Sequence, residues 1–285
     1  MKIEGVRAQR ARRTVANVAF VAFCYTVTAI ALAALALIFW SLVVQGIGGL
    51  NLDIFTKSTP AAGTPGGLIN AIVGSIAMCA IGMAIAIAVG VLAGTWLAEY
   101  GRDTLYAQLV RFVNDILLSA PSVLIGLFVY TLLVAPFHGF SALAGGVALA
   151  LIAIPIITRT TEDVLKLQPA ALRESGVAIG APHWTTIRFI MWRSAGSGML
   201  TAGLLAFARI SGETAPLLFT SLNNQFFNWN PTKPTASLPI VIFQFALSPY
   251  DDWQKLAWTG ALIVAGAVLA ANILARIITR ERRPQ

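Results

Sequence analysis

Residues 68–97 read LINAIVGSIAMCAIGMAIAIAVGVLAGTWL, thirty positions without a Lys, Arg, Asp or Glu. The charge-free stretch around them runs from Ser58 to Ala98, 41 residues. A helix on the surface of a soluble domain buries one stripe and keeps polar residues on the other face, which this stretch cannot do. A bilayer asks for the opposite, since about 20 consecutive apolar residues cross its hydrocarbon core as a helix. Outward from this stretch the same feature recurs. No charge falls between Thr14 and Leu52, between Ile116 and Thr158, or between Leu256 and Ala275, which are 39, 43 and 20 residues long. The whole chain of 285 residues is 57% hydrophobic and 11% charged, against about 25% charged in a soluble domain. These runs predict an all-α integral membrane protein with six crossings, at 18–44, 68–97, 112–135, 142–160, 196–221 and 256–276.

The net charge of +8 could suggest nucleic-acid binding, but position decides otherwise. Sixteen of the 20 basic residues fall in the N-terminal tail, the segment 98–111, the segment between the fourth and fifth spans, and the C-terminal tail. Lys57, Lys233 and Lys255 lie on the other side, and Arg209 lies inside a span. The excess of Lys and Arg on the cytoplasmic side of membrane proteins predicts that both termini are cytoplasmic. The basic tails then serve topology and anionic lipid, with no nucleic-acid partner. The run from Val18 to Val44 is too long for a signal-peptide core and lacks a small-residue cleavage site, so a retained helix is expected.

Several chemistries are excluded. Lys never follows Gly, so there is no Walker A loop and no nucleotide hydrolysis by this chain. Cys24 and Cys79 sit in apolar runs, and His138 and His183 are far apart, leaving neither a disulfide framework nor a metal cluster. No nucleophile elbow and no glycine-rich nucleotide fingerprint occurs. A channel, a carrier or a transporter subunit remains.

Two segments carry function-bearing patterns. The first, QPAALRESGVAIGAPHWTTIRFIMWR at 168–193, places Pro169 at the start and Gly180 at the end of a helix of about 169–179. Ala181-Pro182 then starts a second helix running toward Trp192. Ser175, Gly176 and Ala178 are small enough for a partner to approach closely. The second segment is the fifth span, where Arg209 and Glu213 stand four apart and so share a helix face. A charge at bilayer depth costs roughly 2.5–3.5 kcal/mol and usually faces a bundle interior or a water-filled path. Pro216 deprives the Gly212 carbonyl of its helical partner, predicting a bend or break suited to a gate. The pair reads either as an element of an anion path or as a bridge that locks helices together.

Weaker features complete the pattern. Gly82, Ala86, Gly90 and Gly94 form a small-residue stripe for helix packing, within the chain or against a partner. Arg111, Asn114 and Asp115 suggest an interfacial polar pair. The apolar segment 238–250 is expected at the outer interface, flanked by Tyr250, Trp253 and Trp258.

Glu174-Ser175-Gly176-x-x-x-Gly180, nine residues before Ile190, resembles the EAA loop of ABC-importer permeases of the MetI-like fold. Ser175 and Gly176 replace its two alanines, and Trp192-Arg193 replaces the usual Leu-Pro. The string from Arg209 through Gly212-Glu213-Thr214-Ala215-Pro216-Leu217-Leu218 resembles the PstA-type permeases of phosphate ABC importers. So do residues 66–75 and 121–128, and the resemblance covers about 66–276. It implies a permease core over 68–276 with a coupling loop at 161–193. The preceding unit, 1–67, would hold the basic tail, the first span and an external loop, and 277–285 a second tail. It also implies Glu174, Ser175, Gly176 and Gly180 as the contact to an ATPase, and Arg209, Glu213, Thr214 and Pro216 along the translocation path. The implied partners are a second similar permease, a dimer of ABC ATPases that binds ATP and magnesium, and a periplasmic phosphate-binding protein. This chain itself would bind no cofactor. A permease for sulfate or molybdate, and a self-contained channel or secondary carrier, remain alternatives.

Overall fold

A computed structural model describes residues 2–101 and 104–281. Arg102, Arg282 and Arg283, counted above in the topology, and the tail residues 282–285 lie outside the described residues. No strand occurs among the described residues. In chain order the helices are α1 (Lys2–Ile47), α2 (Asp53–Thr56), α3 (Ile69–Trp96), α4 (Leu105–Ser119), α5 (Ser122–Val129), α6 (Ala142–Lys166), α7 (Ala170–Ala178), α8 (His183–Thr186), α9 (Trp192–Ser194), α10 (Gly196–Ser211), α11 (Ala215–Thr220), α12 (Leu238–Ala246) and α13 (Asp251–Glu281). Wider π-helical turns extend α3 through Leu97–Gly101, extend α5 through Tyr130–Val134, and join α8 to α9 through Ile187–Met191.

Among the described residues, four helices are long and apolar enough to cross a membrane: α1, α3 with its π-turn, α6 and α13. A fifth crossing exists if α4 and α5 are one bent span. The expected single helix over 112–135 is not formed, because the chain turns by 106° between Ser119 and Ser122. The cause is Pro121. It disfavours helical backbone at the residue before it, and Ala120 is accordingly extended, at φ −66° and ψ 134°. The fifth segment, 196–221, is also divided, with α10 ending at Ser211 and α11 beginning at Ala215. That interruption is the one Pro216 predicts.

The core is built on α3 and α6, which run parallel. The stripe of Gly82, Ala86, Gly90 and Gly94 is buried within the chain. A β-carbon on Gly82 would meet the Leu149 side chain at 3.0 Å, and one on Gly90 would meet Ile157 at 2.9 Å. The stripe therefore serves contact with α6. Helix α10 packs against both α3 and α6, with Ala206 and Ile210 joining Met78, Leu149 and Ile157 in one apolar cluster.

A second cluster gathers Ile54, Leu68, Ala71, Val241, Phe245 and Ala257. Part of the segment 238–250 is packed into it as the helix α12. Ser237 caps α12 by accepting from the Ile240 N–H, and the helix buries Leu238, Ile240, Val241 and Phe245. Beside it the buried Asn70 amide donates to Thr59 Oγ1 at 3.0 Å and to the carbonyl of Asn224 at 2.8 Å. Its oxygen accepts from the Thr59 N–H at 3.1 Å, so one side chain joins two loops. The 46 residues of α1 make a rod of about 69 Å at 1.5 Å per residue. It starts well before Val18 and meets α13 near its own end, where Thr259 Oγ1 donates to the Gly46 carbonyl at 3.1 Å.

Candidate functional site

The segment 169–194 is the expected helix–turn–helix. Pro169 precedes α7 and Gly180 follows it at φ +69°, left-handed backbone that glycine adopts without a side-chain clash. Two bonds close the helix, from the Gly180 N–H to the Val177 carbonyl at 2.9 Å and from the Ala181 N–H to the Gly176 carbonyl at 3.0 Å. This is a Schellman cap, and it turns the chain into α8. Gly176 is buried against the Thr186 side chain, and its missing side chain lets α7 and α8 approach. Glu174, Ser175 and Gly180 are exposed, as are Val177 and Ile179.

Sequence reasoning did not find what holds this loop. Arg173 on α7 grips Glu99 in the π-turn after α3, with Nη2 2.7 Å from Oε1 and Nε 2.9 Å from Oε2. The Glu99 side chain is 2% exposed. The same guanidinium donates to the carbonyl of Leu165 in the last turn of α6 at 2.8 Å and to that of Gln168 just beyond it at 3.1 Å. The Glu99 carboxylate raises the Arg173 pKa above its ordinary value against the opposing effect of burial. Trp192, standing where the resemblance expects leucine, donates from Nε1 to the buried Thr95 hydroxyl at 3.0 Å. His183 packs edge-on against Tyr100. One helix turn before Lys166, Glu162 is 2% exposed and binds both Arg111 at 2.8 Å and Lys166 at 2.6 Å. Asn114 donates to the Pro155 carbonyl at 3.2 Å, so the polar group on α4 reaches across to α6.

Arg209 and Glu213 are paired at 3.1 Å, with side chains 60% and 12% exposed. Both belong to one chain segment, so the pair spans the break after α10 and links no two spans to each other. Thr214 opens α11, its carbonyl accepting from Leu217 and Leu218 at 3.2 Å. Pro216 is buried against Gly126 of α5. Arg209 lines a cleft of about 390 Å³ shared by α4, α5, α6 and α10. Arg159, Thr160 and Ser122 also line it. Arg159 extends from α6, which continues to Lys166, and is paired with Asp163 at 3.5 Å. Two guanidiniums and two hydroxyls around one opening can hold an oxyanion by charge-assisted hydrogen bonds. Among the described residues no cluster of His, Cys, Asp or Glu could hold a metal ion.

Residues 86–284 match the family described as the binding-protein-dependent transport system inner membrane component. The chain belongs to this family. Membership makes it a multi-pass inner-membrane component of a transport system, not an enzyme. Within the family, a protein of Haemophilus influenzae named phosphate transport system permease protein PstA is 50% identical over 271 residues, covering 95% of this chain and 96% of that one. A Methanocaldococcus jannaschii protein, named a probable phosphate transport system permease protein PstA, is 30% identical over 94% of this chain and 96% of its own. Among solved structures, a chain of the inward-facing MetNI methionine ABC transporter superposes at a TM-score of 0.64 with 18% identity. The match covers 76% of this chain and 96% of that one. The MetI-like fold expected from the EAA-like loop is therefore the fold observed.

Proposed function

We propose that this family member is one of two similar permease subunits of an ATP-driven importer carrying inorganic phosphate across the cytoplasmic membrane. The observation that carries the reading is the cleft where Arg209, beside the break between α10 and α11, faces the same opening as Arg159. Relatives named for phosphate transport, 50% and 30% identical over most of their length, support phosphate as the anion. In this reading the six crossings are α1, α3, α4–α5, α6, α10–α11 and α13, with both termini cytoplasmic as the basic residues require. Residues 68–276 are the permease core.

Glu174, Ser175, Gly176 and Gly180 belong to the loop that docks on a dimer of ABC ATPases. Those partners bind the ATP and magnesium, and this chain binds neither. A periplasmic phosphate-binding protein delivers the anion, Arg209 lines its path, and Glu213, Thr214 and Pro216 form the break beside it. The exposed Arg209 offers charge to the anion while Glu213 keeps that charge partly compensated when the path is empty. The basic tails face anionic lipid and bind no nucleic acid.

The test is uptake of phosphate into vesicles holding the purified complex with its ATPase and binding protein. Uptake that requires ATP and the binding protein, and that excess sulfate or molybdate does not suppress, is expected. Phosphate uptake by this chain alone, without an ATPase, would overturn the reading, and suppression by sulfate would reassign the anion.

A further inference from the structure

We propose that the Glu99–Arg173 pair is the positioning element through which displacement of the 169–194 loop reaches α3 and α6. The inference rests on the reading above, in which an ATPase moves that loop. Arg173 precedes Glu174, so it sits on the short helix that any docking partner would push. Its guanidinium is bound at once to the π-turn of α3, through both Glu99 oxygens, to the Leu165 carbonyl in the last turn of α6 and to the Gln168 carbonyl just after it. Three elements thus meet on one planar cation. An arginine held at both prongs resists rotation as well as separation. Glu99, at 2% exposure, has little water to replace Arg173 if the two part.

Two further contacts keep the loop from swinging about that single point. Trp192 is bound to Thr95 on one side and His183 packs on Tyr100 on the other. Beyond the pair, α3 and α6 have no slack between them, because Gly90 lies against Ile157 and Gly94 against Thr161. A load on Arg173 therefore moves the ends of α3 and α6 together. Arg159, which lines the cleft, lies on α6 one turn before Glu162. The pair joins the pushed helix to the helix carrying a cleft residue, so it governs how much of each ATP cycle becomes transport.

The experiment uses the complete reconstituted transporter and reads phosphate taken up per ATP hydrolysed. A coupling loss changes this ratio, whereas a folding defect lowers both rates together. In Arg173→Ala and Glu99→Gln the ratio is expected to fall about tenfold while ATP hydrolysis persists. The reversed pair, E99R/R173E, is expected to regain part of it. Should Arg173→Ala not assemble, Arg173→Lys carries the test, since it keeps the charge and loses the two-pronged geometry. A wild-type ratio in assembled Arg173→Lys or Glu99→Gln overturns the proposal. ATP-independent uptake by the wild-type complex would instead overturn the functional reading on which it rests.

Discussion

Gly126 faces Pro216 across the contact of α5 with α11 with no space for a side chain. A β-carbon on Gly126 would lie 2.5 Å from the Pro216 α-carbon and 3.0 Å from its carbonyl oxygen. The neighbours are backbone atoms and cannot step aside by changing rotamer. Overpacking of this kind costs about 1–3 kcal/mol. Gly126→Ala is expected to lower the thermal unfolding midpoint of the purified chain in detergent, and Gly126→Val to lower it further. An unchanged midpoint in both variants would mean the two helices are not in this contact.

At Gly180 the cost is conformational rather than steric, because nothing lies within 4 Å of where a β-carbon would be. Left-handed backbone costs about 1–2 kcal/mol for a residue with a side chain. Gly180→Ala should therefore loosen the turn after α7, and Gly180→Asn should loosen it less. Hydrogen exchange at the amides of Gly180 and Ala181, which donate to Val177 and Gly176, reads this directly. Equal protection in wild type and Gly180→Ala would rule out the cap as described.

The cleft predicts a different kind of loss. Arg209→Gln removes one guanidinium, and a hydrogen bond to a charged group contributes about 1.5–3 kcal/mol. Phosphate uptake by the complete transporter should fall tenfold or more, by that estimate, with the complex still assembled. Arg159→Gln should also reduce it, because both arginines line the same opening. Wild-type uptake in Arg209→Gln and in Glu213→Gln, each with normal assembly, would remove the pair from the path.

Asn70 supports a prediction about the loops at the other end of the bundle. Asn70→Ala leaves the Thr59 N–H and the Asn224 carbonyl without their side-chain partner. A buried group left unpaired costs about 1–3 kcal/mol. The segment 222–235 should become more sensitive to protease in the variant. Asn70→Asp should not rescue it, because a carboxylate accepts but cannot donate to that carbonyl. Equal digestion rates for wild type and Asn70→Ala would show that the loops are held elsewhere.

Some of this site could be read along the chain. Pro169 and Gly180 mark their helix because both act on their own backbone, and Pro216 interrupts its span for the same reason. Arg209 and Glu213 are neighbours on any helix. Arg173 and Glu99 stand 74 positions apart; in the sequence Glu99 is a charge at the edge of an apolar run and Arg173 is one of several charges in the segment after the fourth span. An acidic residue directly after the run that ends at Ala98 was the available signal, but it pointed to no particular partner. The apolar run ends beside Arg159, and only the structure shows that α6 continues past it to Lys166. Ile240 and Val241 are apolar in either setting, and only the packing of α12 decides that they are buried.

The membrane class and the apolar runs follow from sequence alone, because a bilayer excludes charge according to position along the chain and composition records that exclusion directly. The cap of α7 and the break after α10 follow too, since glycine and proline act on the backbone where they stand. Tertiary structure alone decided which residues meet. It folded the span begun at Leu105 back at Pro121, packed the glycine stripe against α6, and brought Glu99 to Arg173 and Arg159 to the cleft of Arg209. Those contacts depend on how parallel and antiparallel helices pack in three dimensions, and helical periodicity cannot carry information about a partner on another helix.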